Sequence, residues 1–98
     1  MDIHELKILP RYFEDILHNG KNFEIRRNDR DFKVGDILIL KEFVSGEYTG
    51  RMLKKQIKYI LNGDGTFGLN SLYCILSIED PDFDLEPPLL NEFTDNNG

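Results

Sequence analysis

Cysteine is nearly absent from this 98-residue chain: Cys74 stands alone, so no disulfide can form within it. Histidine is as scarce, with His4 and His18 only, and there is neither a Cys-x-x-Cys nor a His-Glu-x-x-His pair. That donor set is too thin for a structural zinc site, and no metal and no cofactor is expected. No apolar run approaches the ~20 residues of a membrane-spanning helix. The opening Met1-Asp2-Ile3-His4-Glu5 has no basic start and no apolar signal core, and a reducing cytoplasm is the expected setting. The last stretch lacks positive charge altogether. From Glu79 to Gly98 there are seven acidic residues and no Lys or Arg.

That absence changes the meaning of the net charge of −6. Residues 1–78 hold all 12 basic residues and 11 of the 18 acidic ones, a net of +1. The acidity belongs to the tail, and a nucleic-acid partner is compatible with the near-neutral remainder. The charge argues against a strongly basic, non-specific DNA binder.

Of what is present, 40% is hydrophobic, enough for one small core. His4, Leu6 and Ile8 alternate with Glu5, Lys7 and Leu9, which predicts a first strand. Pro10 suits a first helical turn; Phe13, Ile16 and Leu17 follow at helical spacing, and Asn19-Gly20 supplies a stop. Residues 10–19 therefore read as a short helix. Asn22 to Arg27 alternates, with Phe23 and Ile25 on one face and Asn22, Glu24 and Arg26 on the other. Ile37 to Leu40 is apolar on both faces and reads as a central strand. Ser45-Gly46 and Thr49-Gly50 frame an expected loop. In Arg51 to Leu61, the alternation puts Leu53, Ile57, Tyr59 and Leu61 on one face, with Lys54, Gln56 and Lys58 on the other. Leu72 to Ile78 closes the set, with Leu72, Cys74, Leu76 and Ile78 sharing a face.

The expected fold is thus α+β and mainly β. About five strands and one short helix after the first strand close into a small barrel over residues 1–80, because closure removes exposed sheet edges. Residues 81–98, with Pro81, Pro87, Pro88 and the acidic run, read as a disordered tail without a core of its own. A monomer is expected, with the tail as a possible docking segment for a protein partner.

Gly63-Asp64-Gly65-Thr66-Phe67-Gly68 matches G-x-G-x-x-G in letters only. The dinucleotide mechanism needs a helix after the glycines, and here a strand follows. Cys74 lies between apolar neighbours and reads as a small buried hydrophobe. His18 closes the helix, where its charge suits the dipole.

The informative segment is Gly20-Lys21-Asn22-Phe23-Glu24-Ile25-Arg26. Glu24 and Arg26, two apart on a strand, project from one face, and Lys21 precedes them at the turn. A carboxylate between two cations stays ionised and can hold Arg26 in a fixed pose. Arg26 can then fork onto a phosphate or a base edge while Lys21 supplies a point charge. A surface ion pair with no function explains the same residues, and by itself that plainer account is the commoner one.

This segment resembles the signature G-x-K-x-x-E-x-R of the ASCH superfamily, whose fold is a PUA-like β-barrel. The match is in Lys21-x-x-Glu24-x-Arg26, with Gly20 directly before the lysine. His4-x-Leu6-Lys7-x-x-Pro10-x-x-Phe13, Asn28-Asp29-Arg30-x-Phe32-x-Val34-Gly35-Asp36 and Tyr48-Thr49-Gly50-Arg51 extend the resemblance over about residues 3–78, to an ASCH-like branch found in bacteria and their phages. The resemblance implies an RNA-binding cleft at the motif. It also implies an alternative, because some relatives act on N4-acetylcytidine, with lysine and threonine at the positions of Lys21 and Glu24, and another is described as a ribonuclease. Lys21 and Glu24 are the catalytic candidates on that alternative, with His4 and Lys7 as further acid–base groups for a ribonuclease. Glu24 in place of threonine removes the hydroxyl nucleophile of the hydrolases. The expected function is a module that binds RNA or a nucleotide through Lys21, Glu24 and Arg26, flanked by Lys7 and Arg30, with Tyr12 placed to stack on a base. An enzyme at the same cleft and a phage-type protein-interaction module are the alternatives.

Overall fold

The computed structural model describes residues 1–83. Strand β1 (Ile3–Ile8) leads into helix α1 (Pro10–His18), followed by β2 (Phe23–Arg27), β3 (Ile37–Val44), the long β4 (Glu47–Asn62) and β5 (Tyr73–Glu79). One five-stranded sheet results, in the order β1-β3-β4-β5-β2. Only the β1–β3 pairing is parallel. The sheet curls into a half-barrel with the helix following the first strand, which is the small α+β, mainly β fold expected.

Ile37, Leu38, Ile39 and Leu40 are fully buried, in agreement with a central strand between β1 and β4. The core gathers Leu6 and Ile8 of β1, Leu38 and Leu40 of β3, Ile57 of β4 and Cys74, Leu76 and Ile78 of β5. Phe13, the buried residue of α1, enters the same cluster and plugs the open side of the half-barrel. Pro10 occupies the first turn of α1 and Leu9 provides no side-chain cap. Gly20 ends the helix with φ +76°, a conformation a β-carbon disfavours, and the Lys21 N–H turns back to the Asp15 carbonyl at 3.0 Å.

Three local readings are corrected. Ser45 and Gly46 form a two-residue hairpin turn in which both have positive φ, and Thr49-Gly50 lies inside β4 instead of framing a loop. A register shift between Ile57 and Tyr59 flips the alternation of β4. Ile60 then packs on the core, while Tyr59 and Leu61 are exposed instead of sharing the face of Leu53 and Ile57. Leu72 precedes β5 and is exposed, so it does not join Cys74, Leu76 and Ile78.

On β2 the alternation is as expected, but the inward face is the polar one. Glu24 is 4% exposed, whereas Phe23 and Ile25 are 40% and 55% exposed. Because β2 is the last strand of the curl, its inner face meets the open seam rather than the middle of the core. Of the expected tail, Pro81 to Phe83 are described: the Asp82 N–H donates to Gln56 Oε1 at 3.0 Å and its carboxylate pairs with Lys58 at 2.6 Å. The remainder, residues 84–98, lies outside the described residues.

Candidate nucleic-acid interface

The Gly20 turn sets Lys21 beside the first residues of β2. There the Lys21 ammonium donates to the Phe23 carbonyl at 2.6 Å and to Glu24 Oε1. Arg26 holds the other carboxylate oxygen, with Nε at 3.0 Å and Nη2 at 2.8 Å from Glu24 Oε2. Glu24 is therefore a buried carboxylate compensated on both oxygens, the condition under which a charge can be kept away from water. Its strand partner is Leu76 and that of Arg26 is Cys74, so Glu24 and Arg26 stand beside apolar core residues on the inner face of the end strand.

A cleft of about 590 Å³ opens between α1 and β2 over Lys21 and Glu24. Tyr12, Asp15 and Asn19 line it from the helix side, and Lys21, Phe23 and Glu24 from the strand side. The Lys21 ammonium sits 5.5 Å from the Tyr12 ring centroid and 5.0 Å from that of Phe23, within cation–π range of both.

A second cleft of about 410 Å³ lies at the seam between β1 and β2. The candidates divide between the two. Tyr12, Lys21 and Glu24 line the first; Lys7, Arg26 and Arg30 line the second. Arg26 Nη2 donates to the Lys7 carbonyl at 2.9 Å, and Arg30 Nη1 reaches the Glu5 carbonyl at 3.4 Å. Two arginines thus span the gap between the first and last strands of the sheet.

His4, a candidate on the ribonuclease alternative, is far from these clefts in role. It binds Asp36 Oδ2 at 2.8 Å and stands edge-on to Phe32 at 4.8 Å. Asp2, His4 and Asp36 bring ligand atoms within 4.8 Å of one another. Asp36, however, already accepts the backbone N–H of Asp2 at 2.9 Å and that of Lys33 at 3.0 Å. Burial pushes the Asp36 carboxyl up, and these bonds together with His4 hold it below its usual 3.8. The group braces the start of β3 against β1.

Sequence reasoning missed two residues of these surfaces. Phe23 and Arg27 lie on the outward face of β2, and the pairing of Arg27 with Tyr73 was not readable without the register. A buried ion pair was also missed. Glu42, 4% exposed, takes Arg51 Nε at 3.0 Å and Nη2 at 2.8 Å, plus the Thr49 hydroxyl at 2.6 Å. Arg51 also reaches Glu14 of α1 at 2.7 Å and stacks over Phe13 at 4.2 Å, fastening the helix to the sheet. Arg51 and Thr49 hold the Glu42 carboxyl below its ordinary 4.5.

A family model described as "Domain of unknown function (DUF3850)" matches residues 3–78, which include both clefts and every strand. The chain belongs to the DUF3850 family. It is also 44% identical over 55 residues to the "Uncharacterized 12.9 kDa protein in GpA 3'region" of Escherichia phage P2, a span that covers 56% of this chain and 50% of that one. The chain therefore spans about half the length of this curated relative. Among the described residues, no helix of this DUF3850 member is long and apolar enough to cross a membrane.

Proposed function

We propose that this DUF3850 domain is an RNA- or nucleotide-binding module of the cytoplasm whose ligand enters the cleft between α1 and β2. One observation carries the reading. Glu24 is a carboxylate buried on the inner face of the end strand, and it is locked between two cations under an open cleft with aromatic walls. A fold gains little by burying such a charge, since a buried ion pair is weak evidence of stability. A base stacked on Tyr12 or Phe23 would meet Lys21 as a charge for a phosphate or keto oxygen, and Glu24 as an acceptor for a ring amino group. The likeness of Lys21-x-x-Glu24-x-Arg26 to the ASCH signature supports the same placement, because it implies an RNA-binding cleft at those residues.

A titration of the full chain with single-stranded RNA, duplex RNA and a nucleoside panel, followed residue by residue by NMR, tests this. Shifts are expected at Tyr12, Lys21, Phe23 and Glu24. Lys21→Met is expected to cost about 1–3 kcal/mol of binding, the scale of one good polar contact to a base. Shifts confined to the face of Lys54 and Lys58 would reject the cleft. Release of cytidine from N4-acetylcytidine, abolished by Lys21→Met, would replace binding by catalysis.

A further inference from the structure

The seam cleft has an unusual charge balance. Lys7, Arg26, Arg27 and Arg30 line it, against Glu5 and Asp29. Most cations of the described chain sit in ion pairs: Lys21 and Arg26 with Glu24, Lys33 with Asp31, Lys41 with Glu5, Arg51 with Glu42, Lys55 with Asp80 and Lys58 with Asp82. Five cations, Lys7, Arg11, Arg27, Arg30 and Lys54, have no carboxylate partner among the described residues, and three of them, Lys7, Arg27 and Arg30, converge here. Lys7 lies over the Phe43 ring at 4.4 Å and Arg27 over Tyr73 at 5.9 Å, so aromatic faces position their charges without neutralising them. Arg30 has only the 3.4 Å contact to the Glu5 carbonyl, a weak bond that is readily redirected. Arg26 commits Nε and Nη2 to Glu24 and the Lys7 carbonyl, and its Nη1 makes no hydrogen bond among the described residues.

Like charges gathered in a concave site repel one another, and an arriving anion relieves that repulsion. We propose that the seam cleft is a phosphate subsite, and that it makes single-stranded nucleic acid, rather than a free nucleoside or a duplex, the ligand class of this domain. This rests on the base-binding reading of the first cleft. The link between the two is Glu24–Arg26: the carboxylate faces one cleft and its guanidinium partner lines the other. A chain with a base in the first cleft carries its next phosphodiester toward the second, where Arg26 and Arg30 offer forked donors and Lys7 a point charge. A base paired in a duplex cannot enter the first cleft, so the strand must be single.

The experiment uses the full chain, a labelled six-nucleotide single strand as RNA and as DNA, the matching duplexes, a nucleoside and inorganic phosphate. Affinities are read by fluorescence anisotropy across a salt series, and positions by NMR. The single strand is expected to bind at least tenfold more tightly than either its duplex or the nucleoside, and to shift Lys7, Arg27 and Arg30 as well as Lys21. The variant Lys7→Gln/Arg30→Gln is expected to lose roughly fivefold or more in single-strand affinity at low salt. Its log–log salt slope is expected to become shallower by about 1.4, since two contacts are lost and each phosphate contact in a single strand contributes about 0.7. The RNA and DNA arms identify which sugar the subsite accepts, and either one binding in this way supports the proposal. Inorganic phosphate is expected to shift the seam and not Lys21. Three outcomes overturn the proposal while leaving the first cleft intact: single-strand shifts at Lys21 without shifts in the seam, an unchanged salt slope in the double variant, or a nucleoside that binds as tightly as the oligonucleotide. If neither the oligonucleotide nor the nucleoside shifts Lys21, the base-binding reading itself fails. Circular dichroism of the variant separates a lost contact from a lost fold.

Discussion

Arg26 of β2 and Lys7 of β1 belong to opposite ends of the strand order, yet a 2.9 Å hydrogen bond from Arg26 Nη2 to the Lys7 carbonyl joins them. The same guanidinium holds Glu24, so one side chain closes the half-barrel and organises the cleft behind it. Arg26→Lys keeps the charge but loses the planar fork that serves both partners. It is expected to lower stability by about 1–3 kcal/mol, the worth of a hydrogen bond to a charged group. Urea unfolding at neutral pH measures this, and an unchanged midpoint would show that the seam is held elsewhere.

Phe13 is the one buried residue of α1 and, with Ile16 and the Glu14–Arg51 pair, holds the helix against the half-barrel. Phe13→Ala is expected to cost about 3–5 kcal/mol, because the vacated volume lies among rigid β-strand side chains. Thermal unfolding should then begin tens of degrees earlier, at roughly 4–8 °C per kcal/mol for a domain of this size. Retention of the parent Tm would mean that α1 is dispensable to the core.

Acid should loosen the helix first. Arg51 and Thr49 hold Glu42 below its ordinary 4.5, and Asp36 is likewise held below 3.8. A carboxyl depressed in the folded state contributes stability that is complete above its unfolded pKa and lost as pH falls through the folded one. Stability should therefore be flat above about pH 5 and decline as pH drops below about 4. Glu42→Gln should flatten part of that decline while lowering the neutral-pH plateau. Parallel acid profiles for parent and variant would remove Glu42 from the account.

Asp80 pairs with Lys55 at 2.7 Å and Asp82 with Lys58 at 2.6 Å, so the chain beyond β5 remains tied to β4 as far as it is described. A chain ending at Phe83 is expected to keep its Tm within a few degrees, since exposed pairs contribute little and, among the described residues, the core cluster runs no further than Ile78. Differential scanning calorimetry of the shortened chain decides this, and a large drop would place Leu85, Leu89 or Leu90 in the core.

Much of the local structure was legible because it depends on neighbours in the chain. Pro10 and Gly20 bracket α1 through their fixed or permissive backbones, and the doubly apolar Ile37 to Leu40 announces a strand covered on both faces. The grouping of Lys21, Glu24 and Arg26 also follows from a turn and a two-residue period, and they do meet in space. Tyr59 and Leu61 were misplaced because a single extra residue in β4 reverses every face beyond it, and nothing local marks that residue.

The amino-acid order by itself determined most of the strand segments, where α1 stops and which charges share an edge of β2, since these are matters of period and backbone preference. Only the tertiary structure decided that β1 and β2 face each other across a seam, that Glu24 points inward while Ile25 points out, and that Glu42 awaits Arg51. Each of these depends on strand order, register and curl. Those are settled by contacts between residues far apart in the chain, for which a period of two carries no information.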